Sequence, residues 1–324
     1  MTVVAVGVFV TTYLLIASEK VNRVAAALGG AGVMLALGII DSEHAFFSHE
    51  SGIDWNVIFL LLGTMIIVGT IQQTGLFEYL AIWSAKRARG RPFRIMATFV
   101  LITAIASTVL NNVTTVLLIA PVTVLVCERL RLRPVPFLIA EVMASNIGGI
   151  ATLIGDPPNI IIAGRANLSF NDFLIHLAPL VALLMVGYLG LCRWLFRREF
   201  TYRPELLDEI MALKEREAIR DRRLLITSLV VLVLVIGAFV LSSALDIEPS
   251  VVALLGAGVL ILVTKITAEE AVREVEWPTL VFFMALFVMV GGLIQVGVIE
   301  DLSRFVTSVT AGRLFLTTMP AFRS

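Results

Sequence analysis

The sequence predicts an all-α polytopic membrane protein, and its composition and hydropathy pattern support this class. Of its 324 residues, 58% are hydrophobic and 15% are charged, whereas soluble domains carry about 25% charged residues. The mean hydropathy is +0.95. Apolar runs also recur at close to the roughly 20 residues that a helix needs to cross a bilayer. We therefore expect the lipid bilayer to be a partner of the chain.

The apolar runs give a series of candidate helices. They lie at residues 3–17, 24–40, 55–74, 95–110, 113–126, 137–163, 173–196, 224–245, 251–263 and 279–296. The positive charges near the first run, Lys20 and Arg23, follow it, which is unlike a cleaved signal peptide. The basic residues gather at helix ends, so no nucleic-acid partner is indicated. The distant Cys127 and Cys192 predict packing roles rather than a disulfide.

A polar cluster interrupts the stretch IASTVLNNVTTVLLIAP, and its members are Asn111, Asn112, Thr114 and Thr115. Polar groups persist at membrane depth only where protein or water satisfies them, which is typical of a binding site. Hydrogen bonding between membrane helices is the alternative. Basic residues on both flanks favour the cytoplasm. A re-entrant hairpin over about 94–128 satisfies both flanks, whereas a full crossing does not.

The next apolar segment, about 137–163, contains a second interruption, which reads SNIGGIATLIGDPPN. Its glycines permit backbone geometries closed to other residues, and its prolines cannot donate helical hydrogen bonds. These residues are Gly148, Gly149, Gly155, Pro157 and Pro158. The sequence therefore predicts a broken helix that crosses the membrane.

The distribution of lysine and arginine predicts the orientation of the chain. Loop 41–54 has neither residue and is placed outside, together with the N-terminus. Loop 197–223 is rich in arginine and is placed in the cytoplasm. The predicted organisation is a first transmembrane repeat at 1–196, a cytoplasmic linker at 197–223 and a second repeat at 224–324.

Two offsets reveal the repeat. An offset of 226 aligns residues 30–33 with 256–259, and one of 222 aligns Trp55, Gln73 and Gly75 with Trp277, Gln295 and Gly297. Five full crossings and one hairpin in the first repeat would invert the second. Inverted repeats with broken helices are typical of secondary transporters. The counterparts of Asn111 and Asn112 would lie beyond Ser324, so we expect the second repeat to be incomplete.

Both interruptions carry groups that can bind small ions. Amide, hydroxyl and carbonyl oxygens suit a hard cation, and the N–H groups that open a helix suit an anion. The candidate ion- and substrate-binding residues are Asn111, Asn112, Thr114, Thr115, Ser145, Asn146, Gly148, Gly149, Thr152, Gly155, Asp156, Pro157, Pro158 and Asn159.

Two carboxyl groups, those of Asp156 and Glu141, are candidates for proton or ion coupling. Asp156 could instead cap the half-helix that opens at Pro157, and Glu141 could sit near the cytoplasmic interface. We expect no cofactor, and no metal other than a transported Na+. The coupling ion could be Na+ or H+. No GxxxxGK, HExxH, GxSxG or CxxC string occurs, which favours a gradient-driven transporter over an ATP-driven pump or an enzyme.

The strings NNVTTVLLIAPVTVLVCERL and LIAEVMASNIGGIATLIGDPPNIII resemble the ion transporter superfamily. That superfamily contains arsenite permeases, NhaD-type sodium/proton antiporters, citrate and dicarboxylate carriers and P-protein-like permeases. The resemblance implies two inverted repeats, each with a re-entrant hairpin and a broken helix that supply half of the site. Related sequences often read DNVTT where this chain has Asn111, so a tip carboxylate is lost.

These features predict a gradient-driven secondary permease that moves a small inorganic or organic ion by alternating access, of arsenite/anion or Na+/H+ type. The alternatives are a truncated, non-transporting half that needs a partner or its missing part, and an ion channel. Symport and antiport both stay open. The resemblance also leaves open a homodimer, and an ATPase subunit as partner if the chain follows the arsenite permeases.

Overall fold

The structure is a computed structural model that describes residues 1–48, 51–166, 168–200, 211–212, 214–245 and 247–310. All regular elements in these ranges are helical, which confirms the predicted class, and a 3₁₀ turn at Glu215–Ala218 precedes α11. The helices are α1 (Thr2–Ala17), α2 (Arg23–Ala36), α3 (Ser42–Phe47), α4 (Trp55–Gln73), α5 (Leu76–Arg87), α6 (Pro92–Ser107), α7 (Asn112–Arg129), α8 (Pro134–Gly149), α9 (Pro157–Ala166), α10 (Phe170–Leu195), α11 (Arg222–Leu245), α12 (Pro249–Thr264), α13 (Ala268–Arg273), α14 (Trp277–Gln295) and α15 (Val298–Thr310).

Five of the described helices, α4, α7, α10, α11 and α14, are long and apolar enough to cross a membrane. The shorter apolar helices α1, α2, α6 and α12 accompany them. The chain is thus a polytopic membrane protein. The orientation of its loops stays a prediction, and so does the re-entrant hairpin, since α7 has the length and composition of a full span.

The chain forms two compact units, Met1–Ile58 with Glu276–Ser324, and Phe59–Val275. In the first unit, α2 packs against α1 and α14. A Cβ on Gly30 of α2 would lie 2.4 Å from Thr12 Oγ1 of α1 and 2.6 Å from Met289 Sδ of α14. Small residues allow such close approach between membrane helices.

The second unit contains a similar contact on α12. A Cβ on Gly256 would lie 2.3 Å from Val235 Cγ2 of α11 and 3.3 Å from Ile67 Cδ1 of α4. Gly256 is the predicted repeat partner of Gly30, and α4 is the predicted partner of α14. The same packing arrangement thus occurs once in each unit.

The helix boundaries follow the offsets of the predicted repeat. Both ends of α14 lie 222 positions after those of α4, and both ends of α13 lie 226 positions after those of α3. The glycines that follow α4 and α14, Gly75 and Gly297, have φ of +79° and +77°. These agreements support the repeat, while its inversion and the boundaries 1–196, 197–223 and 224–324 stay predictions. The segment after residue 310 lies outside the described residues.

Four helices of the second unit flank the two polar interruptions. The arms of the first interruption are α6 and α7, joined by residues 108–111, and α8 ends at Gly149 before α9 begins at Pro157. A proline suits the first position of a helix because its missing N–H would have no helical partner there. Buried side chains such as Phe99 of α6 and Phe137 of α8 belong to one apolar core that supports this region.

Candidate functional site

Asn112, the first residue of α7, joins side chains from three other parts of the chain. Its Oδ1 accepts a hydrogen bond of 2.6 Å from Ser107 Oγ at the end of α6. Its Nδ2 donates to Asn146 Oδ1 of α8 over 3.4 Å. The Asn112 side chain also lies beside the carboxyl group of Asp156, just before α9. We call Ser107, Asn112, Asn146 and Asp156 the Asn112 junction.

Three predicted glycines let the backbone approach this junction closely. A Cβ on Gly149 would lie 2.3 Å from Asn112 Oδ1, and one on Gly148 would lie 2.2 Å from the carbonyl oxygen of Ala104. A Cβ on Gly155 would lie 2.6 Å from the carbonyl oxygen of Gly149. None of the three has a positive φ. Their predicted role as sites of special backbone geometry is therefore wrong, and close packing explains them.

The segment between α8 and α9 is held by its own polar groups. Thr152 Oγ1 donates to the carbonyl oxygen of Thr108 and accepts a hydrogen bond of 3.2 Å from the Gly155 N–H. Asn159 Nδ2 donates to the carbonyl oxygens of Gly149 and Thr152, at 3.1 and 2.9 Å. These bonds satisfy carbonyl groups that the interrupted helix leaves without a helical partner. Thr152 and Asn159 thus stabilise the break.

The hairpin tip divides into residues that cap α7 and residues that face the junction. Asn111 Oδ1 accepts a hydrogen bond of 3.1 Å from the Val113 N–H, which caps the helix. Thr115 is buried, and its Oγ1 donates to the carbonyl oxygen of Asn111 over 3.0 Å. Thr114 is half-buried on the same turn. Of the four predicted tip residues, Asn112 makes the contacts that define the junction.

The remaining predicted residues occupy the edges of the site. Ser145 is buried in α8, where its hydroxyl donates to the carbonyl oxygen of Val142 over 2.9 Å. Pro157 is buried at the start of α9, and Pro158 is exposed. The hydroxyl of Ser145 is thus bound within its own helix rather than at the junction.

Two residues at the site, Ser107 and Thr108, are absent from the sequence-based candidates. Ser107 is fully buried and donates to Asn112, and Thr108 supplies the carbonyl oxygen that Thr152 binds. Both stand in the string IASTVLNN, directly before the predicted tip. Hydroxyl groups inside an apolar arm are the feature of the sequence that could have identified both residues as candidates.

The junction brings opposite helix poles together. The C-terminal ends of α6 and α8 carry partial negative charge, and the N-terminal ends of α7 and α9 carry partial positive charge. An anion can bind the N–H groups at the positive ends. A hard cation can bind carbonyl, amide and carboxylate oxygens. At the junction, Asp156 supplies the two carboxylate oxygens. Within the described ranges, no group of three or more His, Cys, Asp or Glu side chains forms a metal cluster.

Glu141, the other predicted carboxyl residue, lies outside the junction. It is on α8, five residues before Asn146, which is about 7.5 Å along a helix. Its side chain is fully buried in the protein, while its depth in the membrane stays a prediction. His176 is exposed near the start of α10, and its Nδ1 is 2.8 Å from the carbonyl oxygen of Asp172.

Comparison with known proteins places the chain among transporters. An uncharacterized transporter of Mycobacterium tuberculosis (strain ATCC 25618 / H37Rv) is 56% identical over 317 residues, which cover 98% of this chain and 74% of that protein. The 46 kDa membrane protein of Mycobacterium leprae matches to the same extent. The P protein of Mus musculus is 31% identical over 369 residues, which cover 91% of this chain and 44% of that protein.

A family model described as a citrate transporter (CitMHS) matches residues 13–322, which is nearly the whole chain and includes all four helices of the Asn112 junction. Family membership makes the chain a secondary transporter with several membrane-spanning helices. The chain belongs to the citrate transporter family.

Proposed function

We propose that the protein is a gradient-driven permease that moves a small ion by alternating access and binds it at the Asn112 junction. One observation carries this proposal: a single amide on α7 bonds side chains of α6 and α8 and lies beside the Asp156 carboxyl group in the segment before α9. Polar groups at helix interruptions are the usual ion and substrate sites of secondary transporters. Movement of any one of these four helix ends would alter the site.

We propose a carboxylate-bearing anion as the substrate and a hard cation or a proton as the coupling ion. Two helix N-termini at the junction favour an anion, and the family description names citrate. The oxygen atoms of Asn112, Asn146 and Asp156 would hold a cation beside it. Adjacent opposite charges would let the two ions stabilise each other.

Flux measurements on purified protein in proteoliposomes test the proposal. Vesicles would be given gradients of citrate, succinate, arsenite, Na+ and H+ in turn, and initial rates would be measured. We expect citrate or succinate flux that depends on a cation gradient and saturates with substrate. An arsenite flux or a Na+/H+ exchange without any carboxylate would replace the anion proposal. A saturable flux of none of these ions would overturn the proposed function.

Two variants locate the site. Asn112→Ala removes the central amide, and Asp156→Asn removes the negative charge while keeping the shape of the side chain. We expect both to reduce the initial rate at least about tenfold, which corresponds to roughly 1.4 kcal/mol. The control is Ser228→Ala, since the buried Ser228 hydroxyl bonds the carbonyl oxygen of Leu224 in its own turn of α11. Normal transport by both site variants would show that the site is elsewhere.

A further inference from the structure

Glu141 is an acidic side chain enclosed by helices α6, α7 and α8. Its side chain has no accessible surface. The neighbouring residues of its own helix face, Phe137, Ala140 and Ala144, are also buried and belong to the apolar core. Both α6 and α7 pack against α8. The carboxyl group is thus enclosed on all sides by protein, about 7.5 Å along α8 from Asn146 of the Asn112 junction.

The hydrogen bonding of this carboxyl group is incomplete. Glu141 Oε1 accepts a hydrogen bond of 2.6 Å from Thr123 Oγ1 of α7. Glu141 Oε2 is buried and finds no hydrogen-bond partner among the described residues. An ionised carboxylate with one unsatisfied oxygen in an apolar core is far more costly than the neutral acid. The surroundings therefore suit a carboxyl group that holds a proton.

No compensating positive charge approaches from the described parts of the packed helices. On α7, the thiol of Cys127 is the ionisable group beside Glu141, while Glu128 and Arg129 are exposed. The α6 helix carries Arg94, which is exposed in its first turn.

The α10 helix, which also packs on α8, places Tyr188 near this region. The Tyr188 hydroxyl donates to the carbonyl oxygen of Ala140 over 3.0 Å, and so it is engaged by the backbone. Its Cys192 is buried, and Arg193 lies over the ring of Phe93 at 4.8 Å. The ionisable groups of α10 at the start of the helix, Asp172 and His176, are exposed. None of these groups neutralises a Glu141 carboxylate.

We propose that Glu141 is a proton-binding site, separate from the Asn112 junction, and that its protonation is coupled to transport. The carboxylate takes up one proton to become the neutral acid when the surrounding helices close. It releases that proton to water when they part. Thr123 donates to Oε1 in either state and keeps the side chain in place. Because α8 carries both Glu141 and Gly149, movement of this one helix would connect the proton site to the junction.

This inference rests on the proposed function for its coupling, but the proton site itself can be tested without transport. Infrared difference spectra of the purified protein between acid and alkaline pH report the carbonyl stretch of a protonated carboxylic acid. We expect a band from a buried acid that is missing in Glu141→Gln and present in Asp156→Asn. Thr123→Val should shift the band to higher frequency, because the hydrogen bond to the acid is lost. A spectrum that is the same for the wild type and both the Glu141 and Thr123 variants would overturn the proton site.

Transport measurements then test the coupling. Glu141→Gln keeps the shape and neutrality of the protonated side chain, so we expect substrate exchange between equilibrated vesicles to continue. Accumulation driven by a proton gradient, and the pH dependence of the initial rate, should both be lost. If Glu141→Gln transports with the wild-type pH dependence, Glu141 is a structural acid and the coupling is overturned. If the wild-type protein shows no flux, the proposed function fails, and the infrared band still decides whether Glu141 holds a proton.

Discussion

The amide oxygen of Asn112 occupies the space that a side chain on Gly149 would need, since a Cβ there would lie 2.3 Å from Asn112 Oδ1. The start of α7 and the end of α8 thus depend on each other. A side chain added at Gly149 would have to displace the Asn112 amide or move one of the two helix ends. This contact leads to the first prediction.

Gly149→Ala should displace the Asn112 amide and disrupt the junction. Introducing a methyl group into a closely packed site costs about 1–3 kcal/mol. We expect a lower unfolding temperature in detergent and a reduced initial rate of transport. The matched control is Gly190→Ala on α10, where no described atom lies within 4 Å of the added Cβ. Equal behaviour of the two variants would contradict the role given to this contact.

Ser107→Ala should weaken substrate binding without unfolding the protein. It removes the 2.6 Å hydrogen bond that positions Asn112 Oδ1, and such a bond contributes about 1 kcal/mol. We expect the KM for the transported ion to rise about fivefold, since about 1.4 kcal/mol corresponds to a factor of ten. Initial rates measured over a range of substrate concentrations give this value.

Ser84→Ala provides the comparison for Ser107. Ser84 is equally buried, but its hydroxyl bonds the carbonyl oxygen of Leu80 within α5. We expect its KM to stay at the wild-type value. A similar KM change in both variants would mean that loss of any buried hydroxyl, rather than the Asn112 contact, causes the effect.

Gly30→Ala and Gly256→Ala should destabilise the protein by similar amounts. The methyl added at Gly30 would lie 2.4 Å from Thr12 Oγ1, and the one added at Gly256 would lie 2.3 Å from Val235 Cγ2. The two glycines occupy corresponding positions in the predicted repeat. The controls are the nearby Gly29→Ala and Gly258→Ala, whose Cβ atoms would meet no described atom within 4 Å. Replacement of glycine by alanine there should be neutral or stabilise the helix by up to about 1 kcal/mol.

Thermal unfolding of the four glycine variants measures these differences. A large effect at only one of Gly30 and Gly256 would count against equivalent packing in the two units.

The linker should detach from the α4–α5 connection when the ion pair between Lys86 and Glu215 is lost. Lys86 Nζ lies 2.7 Å from Glu215 Oε2. Five residues later in the linker, the N–H of Arg220 donates to the carbonyl oxygen of Thr74 over 3.0 Å. Lys86→Met should therefore speed hydrogen–deuterium exchange of the Arg220 amide at neutral pH. Lys214→Met is the control, because its ion pair with Glu217 is exposed.

The same contact should weaken in acid. The hydrogen bond from Lys86 lowers the pKa of Glu215 below its ordinary value. A carboxyl group whose pKa is lowered by folding stabilises the folded state above its unfolded pKa, and this contribution is lost as the pH falls through the lowered pKa. At acid pH, the Arg220 amide of the wild type should exchange as fast as that of Glu215→Gln. At neutral pH, it should exchange more slowly in the wild type than in the variant. Identical rates at both values would contradict the prediction.

Much of the helical framework was predictable because it depends on local sequence. The helix break between Gly149 and Pro157 falls within the glycine- and proline-rich stretch, and α4 and α14 begin at the tryptophans that the 222-residue offset aligns. The side of the membrane on which loop 41–54 lies and the inversion of the repeat both depend on the membrane, and they stay predictions.

The site was predictable in composition but not in its contacts. Asn112 and Asp156 are polar residues at the two interruptions, and each could be identified from its place in an apolar segment. Ser107 could not be ranked above other hydroxyl residues, because its importance comes from the side chain it touches. The full burial of Glu141 could not be predicted either, because it depends on how the neighbouring helices pack around α8.

By itself, the sequence predicted the long apolar helices, the two polar interruptions among them and that the protein belongs in a membrane, but not the shorter helices α3, α5, α13 and α15. Those properties follow from the length of apolar runs and from the backbone chemistry of proline. Only the tertiary structure decided that Asn112 bonds Ser107 and Asn146 beside Asp156, and that Glu141 is closed off from solvent. Such contacts join residues up to 44 positions apart, and they depend on how α6, α7, α8 and α9 pack, which no local pattern specifies.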